Sequence, residues 1–153
     1  MRISAKADYA VRAAAELAAP ERAGRPIKGE QLAAAQRIPR KFLENILTDL
    51  RHAGLVRTRR GAEGGYALTR PASEISVAEV LRAVEGPLAA VQGTRPESLR
   101  YGGAAGRLPE VWVALRANIR AVLERVTLAD LAGGELPDEI AALTTPADAW
   151  QPH

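Results

Sequence analysis

One passage of the 153-residue chain alternates with period two, and it constrains the fold more than any other feature of the sequence. In Leu55–Arg60, Val56 and Thr58 alternate with Arg57 and Arg59; in Tyr66–Thr69, Tyr66 and Leu68 alternate with Ala67 and Thr69. Gly61-Ala62-Glu63-Gly64-Gly65 separates the two runs. Two alternating runs around a glycine-rich turn predict a β-hairpin. The segments on either side are helical in pattern, so the expected class is mainly α with a small β-hairpin.

Ser4 is placed to cap a helix reaching about Ala19, with Ala7, Ala10, Val11, Ala14, Leu17 and Ala18 on one face. Pro20 and Gly24-Arg25-Pro26 mark a loop, after which a short helix spans Gly29 to about Gln36 and turns Leu32 and Ala33 inward. Arg37-Ile38 leads into a third helix that begins near Pro39, repeats Phe42, Leu43, Ile46, Leu47 and Leu50 at helical spacing, and stops at Gly54. Two helices joined by so few residues make a helix-turn-helix candidate. Past the hairpin, Ser76-Val77-Ala78-Glu79 is a capping box that opens a helix ending at Gly86-Pro87. The chain therefore divides into a domain over residues 1–86, read below as the winged helix-turn-helix DNA-binding domain, a flexible loop over 87–107, a long helix over 108–132, read below as the dimerisation helix, and a loose tail over 133–153. A second capping box, Thr127-Leu128-Ala129-Asp130, starts a short helix within the third part, and one helical turn is expected near Asp138–Leu143 in the tail.

Hydrophobic residues make up 47% of the chain and charged ones 25%, the balance of an ordinary globular protein, while aromatics are only 4%. The core must then be built from Ala, Leu, Val and Ile. Cysteine is absent, which removes disulfides, thiolate nucleophiles, Cys-ligated zinc and all-cysteine iron–sulfur clusters. His52 and His153 are the two histidines, too few for imidazole acid–base or metal chemistry. Asp8, Glu16, Glu44 and Asp49 fall on different helices with no nucleophile beside them, so no enzyme is expected and no cofactor or metal site. No apolar run reaches the ~18–20 residues of a bilayer span. The N-terminus lacks the apolar stretch of a secretory signal, so a cytoplasmic protein is expected.

Charge is unevenly divided. Residues 1–70 hold 14 Lys and Arg against 7 Asp and Glu, whereas residues 71–153 hold 7 against 11. A basic half suggests a polyanionic partner. Helix, helix, helix, hairpin is the order of a winged helix-turn-helix domain, in which the third helix enters the major groove of DNA and the second braces it. Basic residues stand at both points of contact: Arg37, Arg40 and Lys41 around the start of the third helix, and Arg57, Arg59 and Arg60 on or beside the hairpin turn, where Gly61 lets the backbone approach a phosphate. Taken singly, Arg40 and Lys41 read as solvated helix charges and the wing arginines as guards of an exposed strand edge. Their coincidence on the two DNA-facing elements is what favours DNA. The turn itself matches neither a P-loop nor a dinucleotide fingerprint, because a strand rather than a helix follows it.

Leu108, Trp112, Leu115, Ile119, Val122 and Val126 are spaced 4, 3, 4, 3 and 4, a heptad-like seam on the long helix. Such a stripe either packs within its own domain or pairs with its twin in a second chain. Pairing is favoured here, because a two-fold protein reads two half-sites separated by ~34 Å.

Several motifs together resemble the Rrf-two (BadM-type) family of bacterial transcription regulators over roughly residues 1–132. They are Met1-Arg2-Ile3-Ser4 with Lys6, Asp8, Tyr9 and Ala10; Phe42-Leu43-Glu44 with Ile46 and Leu50; Gly54-Leu55-Val56; Arg60-Gly61-Ala62-Glu63-Gly64-Gly65-Tyr66 with Leu68; then Ile75, Glu85-Gly86, Trp112, Thr127-Leu128 and Leu131. The resemblance implies a homodimer of winged helix-turn-helix domains joined by a long C-terminal helix. It further implies that Pro39, Arg40, Lys41, Phe42 and Glu44 enter the major groove of an operator, with Arg60 and Arg59 at the minor groove, where a narrow A·T-rich groove attracts arginine. Many family members hold an iron–sulfur cluster on three cysteines between the fourth helix and the dimer helix. Here the equivalent stretch, Leu88 to Arg107, has no cysteine and no histidine. The expected function is a sequence-specific, homodimeric DNA-binding regulator, a repressor, without a cluster. Its loop either binds nothing or, with Tyr101 and Trp112, helps form a pocket for a small-molecule effector of unknown identity. The alternative is a protein-interaction module that pairs through its long helix without specific DNA binding.

Overall fold

The computed structural model describes residues 2–22 and 24–152. Met1, Ala23 and His153 lie outside the described residues, so of the two histidines only His52 has a place in the structure, exposed near the end of the third helix. Helix α1 (Ala5–Leu17) starts where the Ser4 Oγ accepts from the Ala7 N–H at 3.0 Å. It ends two residues short of the expected Ala19, and a 3-10 turn follows at Pro20–Arg22. Its inner face is Ala7, Ala10, Ala13, Ala14 and Leu17. Short alanine side chains let the helix axis sit close to its neighbours, which puts α1 at the centre of the molecule.

Helix α2 (Gly29–Gln36) ends at Arg37 in the left-handed region, φ 51°. That turn redirects the chain within two residues, and Ile38, 4% exposed, is drawn into the core with its N–H on the Ala33 carbonyl. Helix α3 (Arg40–His52) then begins, with Pro39 as its N-cap rather than in its first turn. Leu43, Ile46, Leu47 and Leu50 form its buried stripe, as the i, i+3, i+4 pattern requires. Each fully buried side chain of this size stabilises the fold by roughly 1.5–3 kcal/mol.

Strands β1 (Val56–Arg59) and β2 (Gly65–Leu68) pair antiparallel, Val56 opposite Leu68 and Arg59 opposite Gly65. Ile27 flanks β2 on its other side, exchanging backbone hydrogen bonds with Tyr66 at 2.9 and 2.8 Å. Being the middle of three extended segments and packed on α1, β2 has no exposed residue, and its buried one is Ala67. The one-sided burial implied by alternation is met by β1 only in part: Val56 is buried, but Thr58 is as exposed as Arg57 and Arg59. Two glycines of the turn are dictated by close approach. A Cβ on Gly64 would lie 2.2 Å from the Arg59 carbonyl oxygen, and one on Gly65, at φ +145°, would lie 2.3 Å from that of Ile27.

Helix α4 (Val77–Glu85) opens on the Ser76–Glu79 capping box, and α5 (Leu108–Leu123) is the longest helix. After α5 the chain returns to the core built by α1 to α4. Short helix α6 (Leu128–Gly133) opens on the Thr127–Asp130 capping box, and the two boxes lie side by side. The Val77 N–H donates to the Val126 carbonyl and the Leu128 N–H to the Ile75 carbonyl, both at 2.9 Å. Leu128 is fully buried with Leu32, Ile46, Leu50, Ile75 and Val80. Val126, expected on the helical seam, lies past the end of α5 and is buried with Val77 and Ile140 inside its own chain. Ile140 comes from helix α7 (Asp138–Leu143), the turn foreseen in the tail. The 87–107 loop docks beside α5 through a 3-10 turn at Pro96–Ser98, with Pro96 buried.

Candidate nucleic-acid interface

Because Leu43, Ile46, Leu47 and Leu50 commit one face of α3 to the core, its other residues are turned outward. Arg40, Lys41, Phe42, Glu44, Asn45 and Thr48 are all exposed. At 1.5 Å per residue the 13-residue helix runs about 20 Å, a length that suits a major groove. Its first turn carries no acidic residue. Arg40 lies 3.3 Å from Glu30, but with two-thirds or more of each side chain exposed the pair is weak, and phosphate can displace the carboxylate.

Phe42 is 47% exposed and packs edge-on against Tyr9, ring centroids 5.8 Å apart. Tyr9 in turn lies under the Arg12 guanidinium, 5.3 Å from the ring centroid. Arg12 is anchored to Asp8 at 3.0 Å and to the Gln36 carbonyl. Tyr9, Asp8 and Arg12 thus brace Phe42 and the end of α2 from α1, so the helix-turn-helix unit is positioned by the helix before it.

On the wing, Arg57, Arg59, Arg60 and Gly61 are exposed, with Gly61 at φ +99° and open space around it. Three basic residues join these positions without having been singled out in the sequence. The Ile27–Tyr66 pairing carries Lys28 to a cleft shared with Arg40 and Glu44, and it sets Arg25 and Arg22, the latter held by Glu16, beside Arg59 around a cleft of about 660 Å³ that Glu21 and Glu63 also line. Only the β-bridge tells which surface they join. Asn45, away from the apolar stripe, is the further neutral candidate for base contact.

Helix α5 has no buried residue, although Leu108, Trp112, Leu115, Ile119 and Val122 are each partly covered. Val111 and Val113 are 55% and 37% exposed. The Trp112 indole N–H is buried without a hydrogen-bond partner among the described residues. Tyr101 is 38% exposed in the loop.

The Rrf2 family model, described as an iron-dependent transcriptional regulator, matches residues 3–134. The chain belongs to the Rrf2 family. A protein of Mycobacterium tuberculosis, provisionally named an HTH-type transcriptional regulator, is 54% identical over 143 residues, covering 94% of this chain and 88% of that one. The HTH-type transcriptional regulator CymR of Bacillus subtilis is 34% identical over 132 residues, covering 86% and 90%. The solved structure of CymR, the global cysteine regulator of that organism, superposes with a TM-score of 0.71 at 33% identity, covering 88% of this chain and 98% of that one. An IscR from T. potens gives the same TM-score at 31% identity, covering 88% of each. The fold is a winged helix, and the protein is a transcriptional regulator of the Rrf2 type.

The iron of the family description does not suit this chain. Cysteine is missing throughout the sequence, and no group of three His, Cys, Asp or Glu residues comes together among the described residues. In the 87–107 loop the carboxylate is Glu97, and it is held by Arg116.

Proposed function

We propose that this Rrf2-type regulator binds a specific operator as a homodimer, without an iron–sulfur cluster, and represses transcription by occupying a promoter. The observation that carries it is the exposure on one molecule of two basic groups, Arg40 and Lys41 at the start of α3 and Arg57, Arg59 and Arg60 on the wing. Were the wing arginines folded back on their own chain, DNA binding would lose its footing. The first group, with Pro39, Phe42 and Glu44 shaping the approach, suits the major groove, and the second, with Gly61, suits phosphates or a narrow minor groove.

A second copy of the chain is supported by α5. A 16-residue helix that buries none of its residues leaves Leu108, Trp112, Leu115, Ile119 and Val122 to find cover elsewhere, and the same helix of another protomer offers a matching stripe. Beside it, Ile119, Val122 and Leu123 border an apolar groove with Ile3, itself 82% exposed. No helix among the described residues is long and apolar enough to cross a membrane.

The deciding experiment measures binding of the protein to its own upstream promoter at two salt concentrations. Operator affinity should fall steeply with salt, log–log slope about −0.9 for each phosphate neutralised, while an unrelated duplex binds far more weakly. Equal affinity for both duplexes would refute sequence-specific recognition. In-vitro transcription from the bound promoter should decrease, and an increase would replace repression by activation.

A further inference from the structure

A cleft of about 370 Å³, to which neither α3 nor the wing contributes a lining residue, lies between α4, the 87–107 loop and α5. Arg82 from α4, Arg95 from the loop, and Arg116 and Arg120 from α5 line it, together with one carboxylate, Glu97. Arg116 is 2.5 Å from Glu97, and Arg82 and Arg120 share the single carboxylate of Glu124. Arg95 forms no ion pair among the described residues. Four guanidiniums are thus balanced by two carboxylates, leaving a surplus of two positive charges.

Arg82, Arg95 and Arg120 are exposed, as surface arginines are, but the four are not scattered. Three separate elements bring the four side chains to one concavity, and the Arg116 side chain is only 23% exposed. The remaining wall is apolar, from Pro87, Leu88 and the buried Pro96, which concentrates the field inside the cleft. Glu97 registers that field: its own backbone N–H, Arg116 and the charge of Arg95 hold its carboxyl below the ordinary range. Glu124 is held low in the same way by Arg120 and Arg82. A guanidinium has five N–H donors, so the existing ion pairs leave donors on each arginine for a further acceptor. Planar forks of this kind match carboxylate and phosphate oxygens.

We propose that the cleft between α4, the loop and α5 binds a small oxyanion carrying two negative charges, of the phosphate monoester or dicarboxylate type, through Arg82, Arg95, Arg116 and Arg120. The volume is that of a metabolite site rather than of a polymer. The site is independent of the DNA-facing surface, and its test needs no DNA, so its failure leaves operator binding untouched.

The test is thermal denaturation and calorimetric titration of the full chain with inorganic phosphate, succinate, or chloride at matched ionic strength. A ligand that prefers the folded state raises the midpoint in a saturable way. Phosphate or succinate should do so with one site per chain, and chloride should not. A response to phosphate alone assigns the site to phosphate esters, and one to succinate alone to dicarboxylates. Replacing Arg95, which breaks no ion pair, by Ala should weaken binding about tenfold, the loss of one charge-assisted contact. R120Q should act in the same direction, while R107A, an exposed arginine at the far end of α5, should bind like the parent. No saturable response beyond chloride overturns the proposal, and so does undiminished binding by R95A.

Discussion

Single residues settle what the wing can do. Gly65 has a positive φ of +145° and no room for a Cβ beside the Ile27 carbonyl. Gly65→Ala must therefore push β2 away from Ile27, at a cost of at least about 1–3 kcal/mol. Its thermal midpoint should fall measurably, and a midpoint equal to the parent's would mean that the turn relaxes freely. Arg60 is exposed just after β1, and the proposed function gives it a contact with DNA rather than a part in the fold. For R60A, stability should be unchanged, operator affinity should drop several-fold, and the salt slope should flatten by about one. An unaltered slope would remove Arg60 from the phosphate or groove contacts.

At the scale of elements, the two adjoining capping boxes tie the start of α4 to the segment after α5. In the first, Glu79 accepts from the Ser76 N–H at 2.9 Å and pairs with Arg70 at 2.5 Å. Partial burial pulls its carboxyl upward, but the Ser76 N–H and Arg70 outweigh that, and the net shift is down. Glu16 is also lowered, chiefly by hydrogen bonds from Arg22 and Gln36. A carboxyl whose folded value lies below its unfolded one stabilises fully above the unfolded value and loses that contribution as pH falls through the folded one. Stability should thus decline below the ordinary carboxylate range of about 4 to 4.5. E79Q should lower the midpoint near neutrality and flatten the acid limb of its pH profile; an acid limb as steep as the parent's would show that Glu79 contributes nothing to it.

At the scale of the whole molecule, α5 stands apart because it buries none of its residues within its own chain. Ile119 sits half-buried on that helix, outside the core that α1, α3 and α4 share. I119D should leave the winged helix folded and convert a dimer into a species of the 16.3 kDa chain mass by sedimentation equilibrium. Affinity for a two-half-site operator should collapse, while that for a single half-site changes little. A parent protein that sediments as a monomer at micromolar concentration would contradict the homodimer outright.

Local chemistry in the sequence was enough for most of the elements. The turn glycines, Ser4, both capping boxes and the apolar stripe of α3 are signals that act over three or four residues, so α1 to α4 and the hairpin could be placed within about two residues, whereas α5 stops at Leu123, before the end of the seam that periodicity put on it. The outward set on α3, with Arg40, Lys41 and Glu44, followed from helical geometry once the stripe was known. Tertiary structure decided whatever depends on residues far apart in the chain. Among the described residues, Ile27 docks on Tyr66 and brings Lys28 beside Arg40 and Arg22 and Arg25 beside Arg59, and Val126 leaves the expected seam because the Ser76 and Thr127 boxes pair across some fifty positions. Periodicity describes which face a residue shares with its near neighbours. It carries no information about which distant backbone will meet that face, and here those meetings determine the basic surface and the arginine-lined cleft.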